Sequence, residues 1–309
     1  MQKVNKEAHT QNSSTVITKL YPEKNKSFGL IAILGAVSGA FMEGILHPID
    51  TITTRLLVNS QTHVSFLTQA MEMYKCEGSR SFLRGFTCTL SGSLIANGVY
   101  FYSYEKVKYE LIKHKNLSET LSPFLAGFVG GLIADFIYLP FDVIRTRMQL
   151  KPGEYNYKHV FDGFIQVRRH EGVKALYLGG SMYFALSGVS TSLIFGFYEI
   201  LQKVLKLSFK SKQELDVPIT IVSSACAASL AAFLTNPLDV LVTRMQSVNT
   251  TIQAPHSVKG LIKMIYYNEG PMGFMKGVTG NVLSYIAGSV ILLPTYEIFK
   301  AVFNVDLKE

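Results

Sequence analysis

Five carboxylates stand in, or just past, stretches otherwise almost free of charge, and their spacing limits the chemistry open to this chain. Asp50, Asp142 and Asp239 each lie two residues past a proline, in Pro48-Ile-Asp50-Thr-Ile-Thr-Thr-Arg55, Pro140-Phe-Asp142-Val-Ile-Arg-Thr-Arg147 and Pro237-Leu-Asp239-Val-Leu-Val-Thr-Arg244. Glu43 and Asp135 stand seven residues before the first two of these acids. Seven residues are two helical turns, so each pair shares a helical face. The third equivalent position is Ala232. Three residues after each acid stand Thr53, Arg145 and Val242, a single base among them. Acids gathered on one axis repel unless bases, hydrogen-bond donors or a cationic solute intervene. No nucleophile–base pair, no metal-ligand spacing and no glycine-rich phosphate loop followed by Lys is present, so an enzyme, a cofactor and a resident metal are not expected.

The elements that must hold these acids come from an internal repeat of roughly 95 residues, marked by the three prolines. Each repeat has two apolar stretches of about 20 residues, the length a helix needs to cross a hydrocarbon core. They are Phe28–Leu46, Gly85–Tyr104, Leu121–Leu139, Gly179–Tyr198, Val217–Asn236 and Gly277–Tyr296, and only Glu43 and Asp135 charge them. The competing reading, six buried core helices of a soluble protein, would need six such stretches in a chain of 309 residues. The net charge is +8, yet the apolar stretches hold almost no Lys or Arg. The positive charge therefore falls at helix ends and loops, which suits anionic lipid headgroups; no nucleic-acid motif accompanies it. Cys76, Cys88 and Cys226 offer neither a paired framework nor a CxxC. Residues 1–27 read as a mobile polar tail without an apolar signal region or the Arg-rich character of a transit peptide.

Within each repeat, the first long helix is expected to end at the Pro-x-Asp turn. A short amphipathic helix follows, over Val64–Cys76, Val160–His170 and Val258–Asn268, each closed by Glu-Gly at 77–78, 171–172 and 269–270. Its one-sided polarity predicts a helix along a membrane surface. Gly35 and Gly39, Gly127 and Gly131, and Ser224 and Ala228 recur at fixed offsets before the prolines, a small-xxx-small pattern that lets helices approach closely. Each second helix ends in Tyr-Glu, as Tyr104-Glu105 with Lys108, Tyr198-Glu199 with Gln202, and Tyr296-Glu297 with Lys300. His47 reads as an unremarkable helix-end residue.

On these motifs the chain resembles the mitochondrial carrier family, whose signature is Pro-x-[Asp/Glu]-x-x-[Lys/Arg]-x-[Arg/Gln] in each of three repeats and [Phe/Tyr]-[Asp/Glu]-x-x-[Lys/Arg] on the even helices. The resemblance implies an all-α membrane fold. Six transmembrane helices and three short surface helices would form a threefold pseudosymmetric barrel, with repeats at 28–112, 121–206 and 215–304. It implies a multi-pass protein of the mitochondrial inner membrane, imported without a cleaved presequence, and small-molecule cargo moved by alternating access. Anionic lipid such as cardiolipin would bind on the matrix side. The matrix gate would comprise Asp50, Asp142, Arg145 and Asp239, with Asp50 paired to Arg145, Asp142 opposite Val242, and Asp239 opposite Thr53, whose hydroxyl could serve.

The gate on the intermembrane side would comprise Tyr104, Glu105, Lys108, Tyr198, Glu199, Gln202, Tyr296, Glu297 and Lys300, pairing Glu199 with Lys300, Glu297 with Lys108, and Glu105 with Gln202. The family's substrate contact points carry over to Gly92-Ser93, Leu186-Ser187 and Ser284-Tyr285, with Glu43 and Asp135 as further cargo residues. Five acids against Arg145 predict a cationic or zwitterionic cargo, an amino acid, a metal ion or a solute like S-adenosylmethionine, rather than a nucleotide or dicarboxylate. The acid at Glu43 is similar to one in S-adenosylmethionine carriers. The departures at Thr53, Val242, Gln202 and Leu178 leave a second reading, a carrier fold kept as a structural subunit of a larger inner-membrane complex.

Overall fold

The computed structural model describes residues 26–59, 64–115, 121–151, 153, 155–208, 216–248 and 257–302, with the side chains at 26–32, 113–115, 121, 123–124, 216–217 and 292–302 outside that description. The described residues are helical, with no strand among them. In chain order the helices are α1 (Lys26–Val58), α2 (Phe66–Glu77), α3 (Phe86–Lys115), α4 (Leu121–Gln149), α5 (Val160–His170), α6 (Gly180–Ser208), α7 (Asp216–Ser247), α8 (Val258–Glu269) and α9 (Val278–Val302). Long, short, long repeats three times, which is the order the sequence predicts. The tail at residues 1–25 lies outside the described residues.

The prolines do not end their helices. Pro48, Pro140 and Pro237 sit inside α1, α4 and α7, which run on to Val58, Gln149 and Ser247. Proline fixes φ near the helical value and removes one backbone hydrogen bond, so a helix can continue when contacts beyond it hold the far segment. Those contacts exist here, and they form the first half of the site described below.

Each short helix buries one narrow face: Gln69 and Met73 on α2, Val160, Gly163 and Val167 on α5, Leu261 and Ile265 on α8. Ile144 packs against Val160 and Val167, and Leu241 against Leu261 and Ile265, so the buried faces seat on the ends of the long helices. The Glu-Gly pairs have a backbone reason. Gly78, Gly172 and Gly270 adopt φ of 78°, 84° and 70°, a region that a side chain makes costly. The chain then turns through a single 3-10 segment (Ser79–Leu83, Val173–Tyr177, Pro271–Met275) into the next long helix.

The small-residue pattern works in part as expected. A Cβ on Gly35 would fall 2.0 Å from the Phe101 ring and one on Gly39 would fall 2.4 Å from the Asn97 amide, so α1 and α3 approach through these glycines. In the second repeat the close approach belongs to Gly130, where a Cβ would lie 3.3 Å from the Tyr100 carbonyl; Gly131 has open space. A single glycine next to the pattern has taken over its task.

Large apolar side chains face outward along the long helices, among them Phe41 and Ile45 on α1, Phe128, Leu132 and Phe136 on α4, and Phe195 on α6. A protein in water would not leave such stripes bare. Among the described residues, Leu125–Gln149, Val173–Ser208 and Pro218–Ser247 are long and apolar enough to cross a membrane. The span expected at Gly85–Tyr104 is more polar, with Ser91, Ser93, Asn97 and three tyrosines. The described residues fall into two compact units, one made of the chain up to Ala40, Ser93–Tyr138 and the chain from Tyr296, the other of Phe41–Gly92 and Leu139–Thr295.

Candidate functional site

The second unit holds two layers of polar side chains beyond the prolines. The outer layer repeats three times with one chemistry. Arg55, seven residues past its proline, grips Glu77 at the end of α2 through both terminal nitrogens, Nη2 at 2.9 Å. Arg147 grips Glu171 at 2.6 and 3.0 Å, and Arg244 grips Glu269 at 2.5 and 2.9 Å. The Nε of each arginine donates to a carbonyl at the end of the next repeat's first helix: Arg55 to Gln149 at 2.8 Å, Arg147 to Gln246 at 3.0 Å, and Arg244 to Leu57 at 2.8 Å. The three helix ends are thus joined in a closed ring. Their carbonyls, which have no partner within the helix, accept from a cation, which also offsets the negative end of the helix dipole.

Bidentate pairing and burial make these strong contacts. The Arg55 guanidinium beside Glu77 holds that carboxyl below the usual carboxylate range. Burial alone would raise Glu269, yet hydrogen bonds from Arg244 and Lys276 hold it below that range. Arg84 and Lys276 add to the ring, reaching the carbonyls of Leu150 at 3.1 Å and Asn59 at 2.8 Å. Leu178 stands at the third such position and packs instead on the apolar cluster of Leu57, Leu241 and Met245. Aromatic groups serve the second repeat in place of a second base: Arg147 lies 5.1 Å from the Tyr155 ring centre, and Tyr155 donates to the Ser247 carbonyl at 2.8 Å. Burial pushes the neighbouring Tyr157 phenol up.

The inner layer holds the three acids two residues past the prolines, and each is satisfied differently. Arg145 donates to Asp142 of its own helix, at 3.0 Å from Nε and 2.6 Å from Nη2. Asp142 also accepts from the Gln246 amide at 2.8 Å. Asp50, expected to meet Arg145, lies within reach of that side chain's charge and accepts a hydrogen bond from the Ser284 hydroxyl at 2.7 Å. Asp239, expected to meet Thr53, accepts from the Asn281 amide at 3.1 Å, and the Thr53 hydroxyl donates to Ile49 in its own helix at 2.8 Å. An i,i+3 partner needs no second helix, which favours Asp142 for Arg145. A threonine inside a helix has a carbonyl four residues back within reach. Val242 is buried, and Gln246 one turn further on supplies the donor it lacks.

Residues flanking the prolines bind the same layer to the linkers. His47 is fully buried, with Nε2 2.9 Å from the Arg84 carbonyl and Nδ1 3.0 Å from the Thr89 hydroxyl. Asn236, its counterpart in the third repeat, donates to the carbonyls of Phe274 at 2.9 Å and Lys276 at 3.1 Å. His47 is therefore a clamp, contrary to the plain helix-end residue expected.

Of the expected cargo residues, Glu43 on α1 and Asp135 on α4 are half-buried, as are Leu186 and Ser187 on α6; Gly92 and Ser93 on α3 are buried. Tyr285 stands 3.3 Å from the Ser190 hydroxyl. At the other end of the long helices, Gln202 donates to Tyr198 at 2.9 Å, and Glu199 faces Lys203 at 3.9 Å with both exposed. Lys108 lies 5.6 Å from the Tyr104 ring centre, in the same unit as Glu105. The side chains of Tyr296, Glu297 and Lys300 lie outside the described residues.

The description of the mitochondrial carrier proteins matches this chain three times, over residues 24–115, 117–209 and 213–307, and the chain belongs to that family. Mitochondrial substrate carrier family protein E of Dictyostelium discoideum is 30% identical over 91% of this chain and 99% of its own length. The mitochondrial dicarboxylate carrier of Caenorhabditis elegans is 30% identical over 79% of this chain and 83% of its own. Mitoferrin of Dictyostelium discoideum is 26% identical over 91% and 96%. The family is one of membrane transporters for solutes, and relatives with different names stand at similar identities.

Proposed function

We propose that this protein is a carrier of the mitochondrial inner membrane that moves a cationic or zwitterionic solute by alternating access, with the proline ends of the helices on the matrix side. The observation that carries the reading is the charge balance of the helix interiors. Glu43, Asp50, Asp135, Asp142 and Asp239 are set against Arg145, and Arg145 is already engaged by Asp142. A nucleotide or dicarboxylate would need spare basic groups at this depth. Ionisable residues inside a membrane span are costly and retained for use. The relative named as a dicarboxylate carrier carries anions by that name, so charge class is what separates the two readings.

In this reading Glu43 and Asp135 hold the cargo's positive group, while Gly92, Ser93, Leu186, Ser187, Ser284 and Tyr285 shape the site. Asp50, Asp142, Arg145 and Asp239 close the matrix side. Tyr104, Glu105, Lys108, Tyr198, Glu199, Gln202, Tyr296, Glu297 and Lys300 close the other. An anionic phospholipid of the cardiolipin kind sits on the matrix side, beside a groove of about 430 Å³ among Leu56, Ser65, Phe66, Glu269, Lys276 and Thr279, where Lys276 pairs with Glu269 at 2.6 Å. The starts of α2 and α9 meet there, and helix N-termini favour phosphate.

Thermal melting of the purified protein tests the charge class. A ligand at a hundred times its Kd adds about 2.7 kcal/mol. The expected result is a rise in melting temperature with basic amino acids or S-adenosylmethionine and none with ATP or malate; the reverse overturns the reading. The reading as a structural subunit draws on Val242 and Thr53, neither of which supplies a gate contact. Stable co-migration with a megadalton complex on native electrophoresis, with no uptake of any solute, would favour it.

A further inference from the structure

We propose that Ser284 is the positioning residue that latches the proline-end gate to the cargo site, through the hydrogen bond it donates to the gate acid Asp50. The inference rests on the reading of Ser284 as a cargo contact. All three gate acids accept from neutral donors of the third repeat: Asp50 from Ser284, Asp142 from Gln246 and Asp239 from Asn281. Two of these donors lie three residues apart on α9, one turn of a single face.

Their donor capacities differ. The Asn281 amide has two N–H groups, and both are spent, on Asn236 at 2.8 Å and Asp239 at 3.1 Å. It is a fixed strut. The Gln246 amide also sits in a frame, with its oxygen accepting from Thr146 at 3.0 Å. Ser284 has one hydroxyl hydrogen and donates it to Asp50 at 2.7 Å. It cannot donate to Asp50 and to a solute at once. A solute acceptor that takes the Ser284 hydrogen leaves Asp50 without this donor, and a solute cation that takes Asp50 frees Ser284. Cargo contact and gate closure therefore compete for one hydrogen, which couples binding to opening.

The test reads the gate directly and needs no cargo. The full-length chain is reconstituted in liposomes with Cys76 and Cys226 replaced by Ser and with Val242→Cys as reporter beside the gate; Cys88 is fully buried and stays. A membrane-impermeant methanethiosulfonate is applied from the proline-end side. Ser284→Ala is expected to speed labelling about tenfold, the effect of losing a hydrogen bond to a charged group. Ser284→Thr, which keeps the hydroxyl, is expected to stay within about twofold. In the background of Asp50→Ala, Ser284→Ala should change little, because the bond has already gone.

Equal labelling of the Ala variant and the parent overturns the latch. So does a Thr variant as fast as Ala, or full additivity with Asp50→Ala. Should Ser284→Ala not insert, Ser284→Gly takes its place in the same cycle. Labelling that follows the prediction while no solute is transported would leave the Ser284–Asp50 gate contact standing and sink the transport reading together with the coupling to cargo, whereas unchanged labelling would sink the gate contact alone.

Discussion

The two layers at the proline ends differ in how they treat the threefold repeat. The outer layer keeps it: Arg55–Glu77, Arg147–Glu171 and Arg244–Glu269 have the same chemistry and the same link to the next repeat. The inner layer, one and a half turns earlier on the same helices, breaks it. Asp50 takes a hydroxyl, Asp142 an arginine and an amide, Asp239 an amide. A frame gains from identical contacts, because each must hold equal load. A site for one small solute has no threefold symmetry to match, so its residues are free to diverge. Symmetry thus separates the layer that holds the helices from the layer of the three acids, which the proposed function assigns to a gate.

The largest effect should come from breaking the frame. Arg147 is fully buried and serves Glu171, Gln246 and Val248 at once. Arg147→Ala leaves a buried carboxylate without its partner, a loss of about 3–5 kcal/mol. Thermal melting in detergent should show it as failure to insert or a melting temperature lowered by many degrees. Asp239→Asn, by contrast, should leave melting nearly unchanged while altering transport. Equal losses in the two variants would erase the distinction between layers.

The pH dependence of the frame comes next. Glu77 and Glu269 ionise below the usual carboxylate range in the folded protein. A depressed folded value means the unfolded state binds protons first as pH falls. The stability they contribute is therefore complete above the unfolded value, about 4.3, and is lost as pH drops through the folded one. Melting temperature should hold steady from neutral pH to about 5 and fall below about 4. Glu77→Gln should be less stable at neutral pH and flatter with acid; a parallel curve would contradict the account.

A smaller effect isolates the aromatic substitute in the second repeat. Tyr155→Phe removes only the hydroxyl bonded to Ser247 and keeps the ring over Arg147. The loss should be about 1 kcal/mol by melting. Tyr155→Ala, which also removes the ring, should cost more. Equal losses would show that the ring gives Arg147 nothing.

Much of the frame was legible in the sequence. Proline, acid and arginine recur at one register, and Glu-Gly recurs where only glycine suits the backbone. The glutamines could also have been found: Gln149 and Gln246 both stand nine residues after their prolines, where the first repeat has Leu57. The partners of the three acids past the prolines were not legible. A position three residues on does not name every hydrogen-bond partner, because Arg145 also donates to Asp142 on its own helix. Asn281 gave no charge signal inside its apolar stretch. His47 and Asn236 occupy the same register before their prolines, but Leu139 in the second repeat hides the pattern.

In the proposed function the interior acids Glu43 and Asp135 hold a positively charged cargo. Uptake of radiolabelled basic amino acids, S-adenosylmethionine, malate and ATP into proteoliposomes tests it, with the parent chain compared with the Glu43→Gln, Asp135→Asn double variant. The expected result is uptake of a cationic or zwitterionic solute by the parent, lost in a double variant that still inserts and melts near the parent temperature. Uptake of malate or ATP that survives the double substitution would contradict it.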